Sequence, residues 1–278
     1  MKKIPLGLRD YLPDDIKKRD DVIGQMTAVV KQHNYRRIIT PSLENYHQLQ
    51  PALGALSDDC IMFFDGAGTP LVLRPDHTTP IARITSTRLV NDLPVKLYYH
   101  DPVFRKDPLL GETEIFQFGC EHIAELCLDD EVEMIRMILD LCASIGLDDI
   151  EIHVAHPELF ADMPVDDREA LSSGSYLQCP GLPNKGGRSL VQNFPYLSSF
   201  FDMLASQRIE NVFVNFGLYK DITYYNGLFF DIVSPSFGKV IGSGGRYDSV
   251  LRAFNLDSNA FGFALRLHYV ERALACQR

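Results

Sequence analysis

Several stretches of the 278-residue chain group side chains as binding chemistry would require. Gln117, Gly119 and Glu121 lie two apart within the apolar run Ile115–Ile123, so in a strand they share one face. An amide and a carboxylate aimed the same way suit an amino or imidazole group, although a solvated sheet face has the same pattern. Arg105, just upstream, can add a cation to that floor. Tyr224-Tyr225-Asn226-Gly227 sets two phenol rings beside a glycine, enough to wall a pocket for a flat polar ring. The same four residues also read as a type I′ Asn-Gly hairpin turn between packing tyrosines. Arg74-Pro75-Asp76-His77-Thr78-Thr79-Pro80 puts an acid and hydroxyls where a strand hands over to a helix, and Asp76 or Thr78 there serves equally as an N-cap. Gly242-Ser243-Gly244-Gly245-Arg246-Tyr247-Asp248 reads as glycines leading into a helix. Such a loop lets backbone approach a ligand closely, with Arg246 and the helix N-terminus to meet an anion; a tight turn with a surface arginine is the alternative.

Other chemistries lack their signatures. There is no G-x-S-x-G, H-E-x-x-H or G-x-G-x-x-G, so no nucleophile elbow, zinc protease helix or dinucleotide fingerprint is expected. Six cysteines occur without a C-x-x-C pair. The spacing of Cys120, His122 and Cys127 is poor for zinc, and free, mostly buried thiols of a reducing compartment fit better. Neither a metal nor a cofactor is expected. The start Met1-Lys2-Lys3-Ile4-Pro5-Leu6-Gly7 runs into Arg9 and Asp10 instead of an apolar core, so it is not a signal peptide, and no run is long enough to span a membrane. A cytoplasmic protein is expected. The formal charge of −10 argues against a protein built to grip phosphate backbones, while leaving a local basic pocket open.

Around these stretches, hydrophobic periodicity predicts the elements that must position them. Residues 13–35 predict an amphipathic helix, and Tyr35–Pro41, Leu71–Pro75, Val95–His100 and Ile115–Ile123 predict short strands, with a helix over 76–90 between the second and third. A strong helix follows Asp129 and Asp130, with Val132, Ile135, Ile138, Leu139, Cys142 and Ile145 as its stripe and Gly146 as its stop. Ile150–Val154 alternates as a strand. Residues 156–194 are irregular and rich in Gly, Ser and Pro, consistent with a hinge or compact insert. A helix at 195–207, strands at 211–216, 227–234 and 238–242, a helix at 248–254 and a last strand and helix over 260–276 complete the chain. Strands in antiparallel-looking succession with helices between groups predict an α+β fold.

Taken in order, the motifs resemble the catalytic core of histidyl-tRNA synthetase along nearly the whole chain. They are Leu8-Arg9-Asp10-Tyr11-Leu12-Pro13, Arg74-Pro75-Asp76, Phe104-Arg105, Gln117-Phe118-Gly119-Cys120-Glu121, Tyr224-Tyr225-Asn226-Gly227, Gly244-Gly245-Arg246-Tyr247-Asp248 and Gly262-Phe263-Ala264-Leu265. The resemblance implies the class II aminoacyl-tRNA synthetase fold, an antiparallel sheet flanked by helices, dimeric through the region around Tyr35 to Glu44. It implies one core domain over residues 1–278, a short insertion at about 156–210 and no anticodon-binding domain. It also implies a histidine pocket made by Asp76, Thr78, Arg105, Gln117, Glu121, Tyr224 and Tyr225.

The departures cluster where the family handles ATP. Lys220 stands where the family has an arginine, and a lysine lacks the bidentate fork. Tyr269 replaces an ATP-binding arginine, Arg266 a small glycine, and Gly111-Glu112-Thr113-Glu114 is acidic where the family is arginine-rich. An amino-acid pocket kept while the ATP site is lost resembles one paralogue group, the regulatory subunits of ATP phosphoribosyltransferase. That resemblance implies a subunit without synthetase chemistry. Its partner is the short-form catalytic subunit, in a hetero-octamer, with histidine as feedback effector and no tRNA or membrane partner. A diverged minimal histidyl-tRNA synthetase, a synthetase-like ligase and a ligand-free scaffold are the alternatives.

Overall fold

In a computed structural model of the chain, the residues described are 4–106, 111–172, 185–219 and 225–277. The expectations for Lys220 and Tyr224 lie outside them. The described helices are α1 (Pro13–Gln32), α2 (Tyr46–Leu53), α3 (Thr78–Ile84), α4 (Leu128–Ser144), α5 (Val165–Ser172), α6 (Pro195–Ser206), α7 (Asp248–Arg252) and α8 (Leu267–Cys276). The strands are β1 (Arg36–Arg37), β2 (Leu43–Asn45), β3 (Met62–Phe64), β4 (Pro70–Leu73), β5 (Val95–Tyr99), β6 (Pro102–Phe104), β7 (Glu114–Ala124), β8 (Glu151–Ala155), β9 (Lys185–Gly186), β10 (Val212–Asn215), β11 (Phe229–Ser234), β12 (Lys239–Arg246) and β13 (Asn259–Arg266).

The main sheet runs β1-β5-β7-β13-β12-β11-β8-β10-β9, with β6 on the end of β7. Its central strands, β5 through β8, are antiparallel as expected. Outside them β1 pairs parallel to β5 and β10 parallel to β8, so the sheet as a whole is mixed. β9 and β10 carry the region after residue 184 into this same sheet, and α6 packs on α4. Among the described residues, no helix is long and apolar enough to cross a membrane.

Strand parity divides the sheet into two faces. Tyr98, Phe118, Cys120, Phe230, Ile232, Phe261 and Phe263 join α1, α4 and α6 in the larger core. Val95, Leu97, Tyr99 and Ile123 face the other way, against Ile81 and Ala82 of α3 and Val250 and Leu251 of α7. Helix α4 shows why the local sequence suffices there. Asp130 accepts the Cys127 backbone N–H at 2.9 Å, closing its first turn, and Gly146 takes φ +75° beyond its end. A three-stranded sheet, β2-β4-β3, lies beside this frame. The guanidinium of Arg74, buried, joins it to the large sheet by donating to the carbonyls of Thr40 and Pro102, each at 2.6 Å.

One expectation needs correction. Gly242–Arg246 is not a loop leading into a helix; it is the second half of β12, paired with β11 on one side and β13 on the other. The helix that follows, α7, has only five residues. Nor is Asn226-Gly227 the turn of a hairpin between the strands that flank it: β10 pairs with β8 and β9, and β11 with β8 and β12.

Candidate functional site

A cavity of about 580 Å³ opens over the α3/α7 face of the sheet. Asp76, Thr78, Arg105, Gln117, Glu121 and Tyr225 all line it, so six of the seven residues expected to hold a ligand come together from four separate segments; the seventh, Tyr224, is not among the described residues. The strand period places Gln117 and Glu121 on one face of β7, and both are buried.

Glu121 sits at the bottom. Three hydroxyls converge on it: Thr78 Oγ1 donates to Oε1 at 2.9 Å, Tyr99 Oη to Oε1 at 3.4 Å, and Tyr247 Oη to Oε2. Burial pushes its carboxyl up to about 8, although the hydroxyls of Tyr247 and Thr78 favour the ionised form. A cationic ligand nitrogen would supply the missing counter-charge. The strand facing Glu121 must be bare, because a Cβ on Gly262 would overlap Glu121 Oε2.

Asp76 has two jobs. It caps α3, accepting Thr79 N at 2.7 Å and Thr79 Oγ1 at 2.9 Å, and it presents its buried carboxyl to the cavity. Burial raises its pKa, while the charges of Arg105 and Arg74 pull the other way. The cap reading of this junction is thus realised in a side chain that also lines the cavity. Tyr225 forms a wall, its ring stacked on Phe229 with centroids 5.7 Å apart. Burial raises its phenol pKa, so it stays a neutral hydroxyl.

Tyr99 and Tyr247 complete the carboxylate's cradle, and the motif reading did not assign them to the site. Tyr99 sits on the same face as Leu97, which stands opposite Glu121, so parity alone could have flagged it once the register was known. Its ring stacks on the buried His77 at 3.9 Å between centroids, and His77 Nε2 lies 3.0 Å from the Asp101 carbonyl. Burial lowers the His77 pKa to about 3, so its ring is neutral and Nε2–H is the donor.

The cavity continues outward past Gly242–Gly245 to Lys239, Arg266 and Tyr269. Here the aromatic ring of Tyr269 is buried, with Lys239 Nζ 5.5 Å and the Arg266 guanidinium 5.6 Å from its centre. The acidic loop ends beside it. Glu112 Oε1 is 2.7 Å from His268 Nε2, and burial together with Arg266 and Arg272 lowers the His268 pKa to about 4. A neutral His268 thus donates to Glu112. The loop is clamped from its other side by the Thr113 N–H, which donates to the Gly7 carbonyl at 2.8 Å. One end of the cavity is lined by buried carboxyls, an amide and hydroxyls, and the other by Lys239, Arg266 and Tyr269.

Fold and site together define a class II synthetase-like core. The sequence profile of the histidyl-tRNA synthetase family matches residues 7–170 and 182–270, and the chain belongs to that family. Within it, the chain resembles the ATP phosphoribosyltransferase regulatory subunit of Carboxydothermus hydrogenoformans, 27% identical over 99% of this chain and 97% of the relative. It is 28% identical to the histidine–tRNA ligase of Methanocaldococcus jannaschii, over 94% of this chain and 73% of that one. A crystal structure described as an ATP phosphoribosyltransferase regulatory subunit/histidyl-tRNA synthetase from Bacillus halodurans superposes with TM-score 0.87 at 26% identity, covering 99% of this chain and 83% of that one.

Proposed function

We propose that this chain is a regulatory, non-catalytic subunit of ATP phosphoribosyltransferase in histidine biosynthesis, and that its cavity binds histidine as the feedback signal. The observation that carries this reading is the asymmetry of the cavity. Its inner end gathers Asp76, Thr78, Arg105, Gln117, Glu121 and Tyr225 around a buried carboxylate, while its outer end is lined by Lys239, Arg266 and Tyr269, with the Glu112–His268 pair just outside the lining. Glu121 and Asp76 would meet the amino or imidazole nitrogens, Arg105 the carboxylate, and a tyrosine ring the imidazole face. Adenylation needs several cations held around a triphosphate; the two at this end, Lys239 and Arg266, lie over the Tyr269 ring, and the loop beyond them is acidic.

The partner in this reading is the short-form catalytic subunit. The chain dimerises and joins it in a hetero-octamer in the cytoplasm, binding no tRNA. Names of near full-length relatives support the regulatory role. The test is co-purification with a short-form catalytic subunit, followed by transferase assays with and without histidine and by calorimetry with histidine. Complex formation with histidine-dependent inhibition is expected. Failure to bind histidine, alone or in the complex, sinks the sensor reading.

The second reading is a diverged synthetase, favoured by the likeness to a histidine–tRNA ligase over 94% of the chain. Histidine-dependent ATP–pyrophosphate exchange by the purified chain would establish it; none is expected.

A further inference from the structure

On the face of the sheet opposite the cavity lies a polar cluster whose residues are not part of the cavity lining. Arg246 ends β12 on the α4 side, where its Nη1 donates to Glu131 Oε1 at 3.3 Å and its Nε to Asp248 Oδ2 at 3.0 Å. Glu131, 0% exposed, also accepts the hydroxyl of Tyr196 from the first turn of α6. The Tyr196 ring in turn stacks on His156, just beyond β8, with centroids 4.1 Å apart and planes 11° from parallel.

The other end of the cluster reaches the cavity wall. Asp248 Oδ2 accepts from Asn226 Nδ2 at 3.0 Å and Asn259 Nδ2 at 3.1 Å, and its Oδ1 accepts from Ala260 N at 2.9 Å. Asn226 Oδ1 accepts the Asp248 N–H at 2.9 Å, and Asn226 N donates to the Arg246 carbonyl at 3.1 Å. Asn226 directly follows Tyr225. Gly227 lies so close under the Arg246 stem that a Cβ there would be 2.7 Å from Cδ.

A cluster of buried charges is a weak source of stability, because desolvation offsets most of the Coulomb gain. Its geometry, however, is tightly specified, since a half-satisfied network in a low-dielectric interior is costly. This one ties together the cavity wall, the β12–α7 corner, α4 and α6. A displacement of Tyr225–Asn226 by a ligand must either break bonds to Asp248 or carry Arg246, Glu131 and Tyr196 with it.

We propose that Arg246, Glu131 and Tyr196 are positioning residues that couple occupancy of the cavity, through Asn226 and Asp248, to helix α6. The coupling rests on the reading of the cavity as a histidine site. Hydrogen exchange on the complex with the catalytic partner, with and without histidine, tests it. Slowed exchange is expected both at residues 225–228 and in α6. In Tyr196→Phe, which loses one hydroxyl, the histidine Kd should stay within about threefold, the α6 response should vanish, and maximal inhibition should fall at least about fivefold, the low end of ordinary allosteric coupling. Glu131→Gln should behave alike. An α6 that does not respond in the wild type although histidine binds, or a Tyr196→Phe complex inhibited like the wild type, overturns the coupling. Absence of histidine binding to the wild type overturns the sensor reading itself, and the coupling with it.

Discussion

Replacing Glu121 by glutamine separates charge from shape at the bottom of the cavity. The side chains are nearly isosteric, and the hydroxyls of Thr78, Tyr99 and Tyr247 can donate to an amide oxygen or accept from an amide nitrogen. The fold should therefore persist. A hydrogen bond to a charged group contributes about 1.5–3 kcal/mol and a neutral one about 0.5–1.5, so losing the charge should weaken a cationic ligand by about 1–2 kcal/mol, or roughly 5- to 30-fold. That loss depends on pH, because burial holds the Glu121 proton up to about 8 in the empty cavity. At pH 7 most of the carboxyl is protonated, which costs the wild type on the order of 1 kcal/mol on binding; by pH 9 that cost has gone. The wild-type advantage over Glu121→Gln should thus be near parity at pH 7 and grow severalfold at pH 9. Taking the ratio cancels titration of histidine itself. Calorimetry at the two pH values measures it, and an equal ratio at both would refute the assignment of Glu121 as the ionising partner. Stability gives a second readout. The folded state binds this proton more tightly than the unfolded chain, so its contribution falls as pH rises from about 4.5 to about 8. The glutamine variant should lose that slope.

Gly262→Ala should drive a methyl into the Glu121 carboxylate, lowering stability by about 1–3 kcal/mol in urea titrations and abolishing the heat of histidine binding. His77, with its pKa depressed to about 3, stabilises the fold above its unfolded value of 6.5 and loses that contribution as pH falls toward 3; His77→Gln should flatten this acid limb in thermal melts. Away from the cavity, Arg19 donates from Nε and Nη2 to Glu271 at 2.7 and 3.1 Å beneath the ring of Tyr11, so Arg19→Ala should cost about 1–3 kcal/mol while leaving the histidine Kd unchanged.

What the sequence makes legible here is parity and order, and what it hides is register. Gln117 and Glu121 could be placed on one face because a strand alternates with period two, and Asp76 and Thr78 could be placed together because proline ends a strand there. Helix α4 was readable at both ends, from its acidic first turn and Gly146, and in part of its stripe: Val132, Ile135, Ile138 and Cys142 are buried, but so are Glu131, Met134, Met137 and Leu141, which the periodicity did not single out. Arg246 was not. Glycines at 242, 244 and 245 look like a flexible approach to a helix, yet they lie inside a central strand, and their bareness comes from neighbours distant in sequence. A Cβ on Gly244 would collide with the Phe230 ring at 2.6 Å and with Phe263 Cβ at 2.8 Å, and neither contact can be inferred from the local sequence. Once the ladders are known, the assignment follows. Leu97, Glu121, Gly262 and Gly245 stand in one row across four strands, with the cavity above Glu121 and Gly262. Residue 246 is one step further along, so its side chain must leave by the opposite face. The anions that Arg246 meets are therefore Glu131 and Asp248 of the chain itself, and among the described residues its links to the cavity wall run through the backbone and the Asn226–Asp248 contacts.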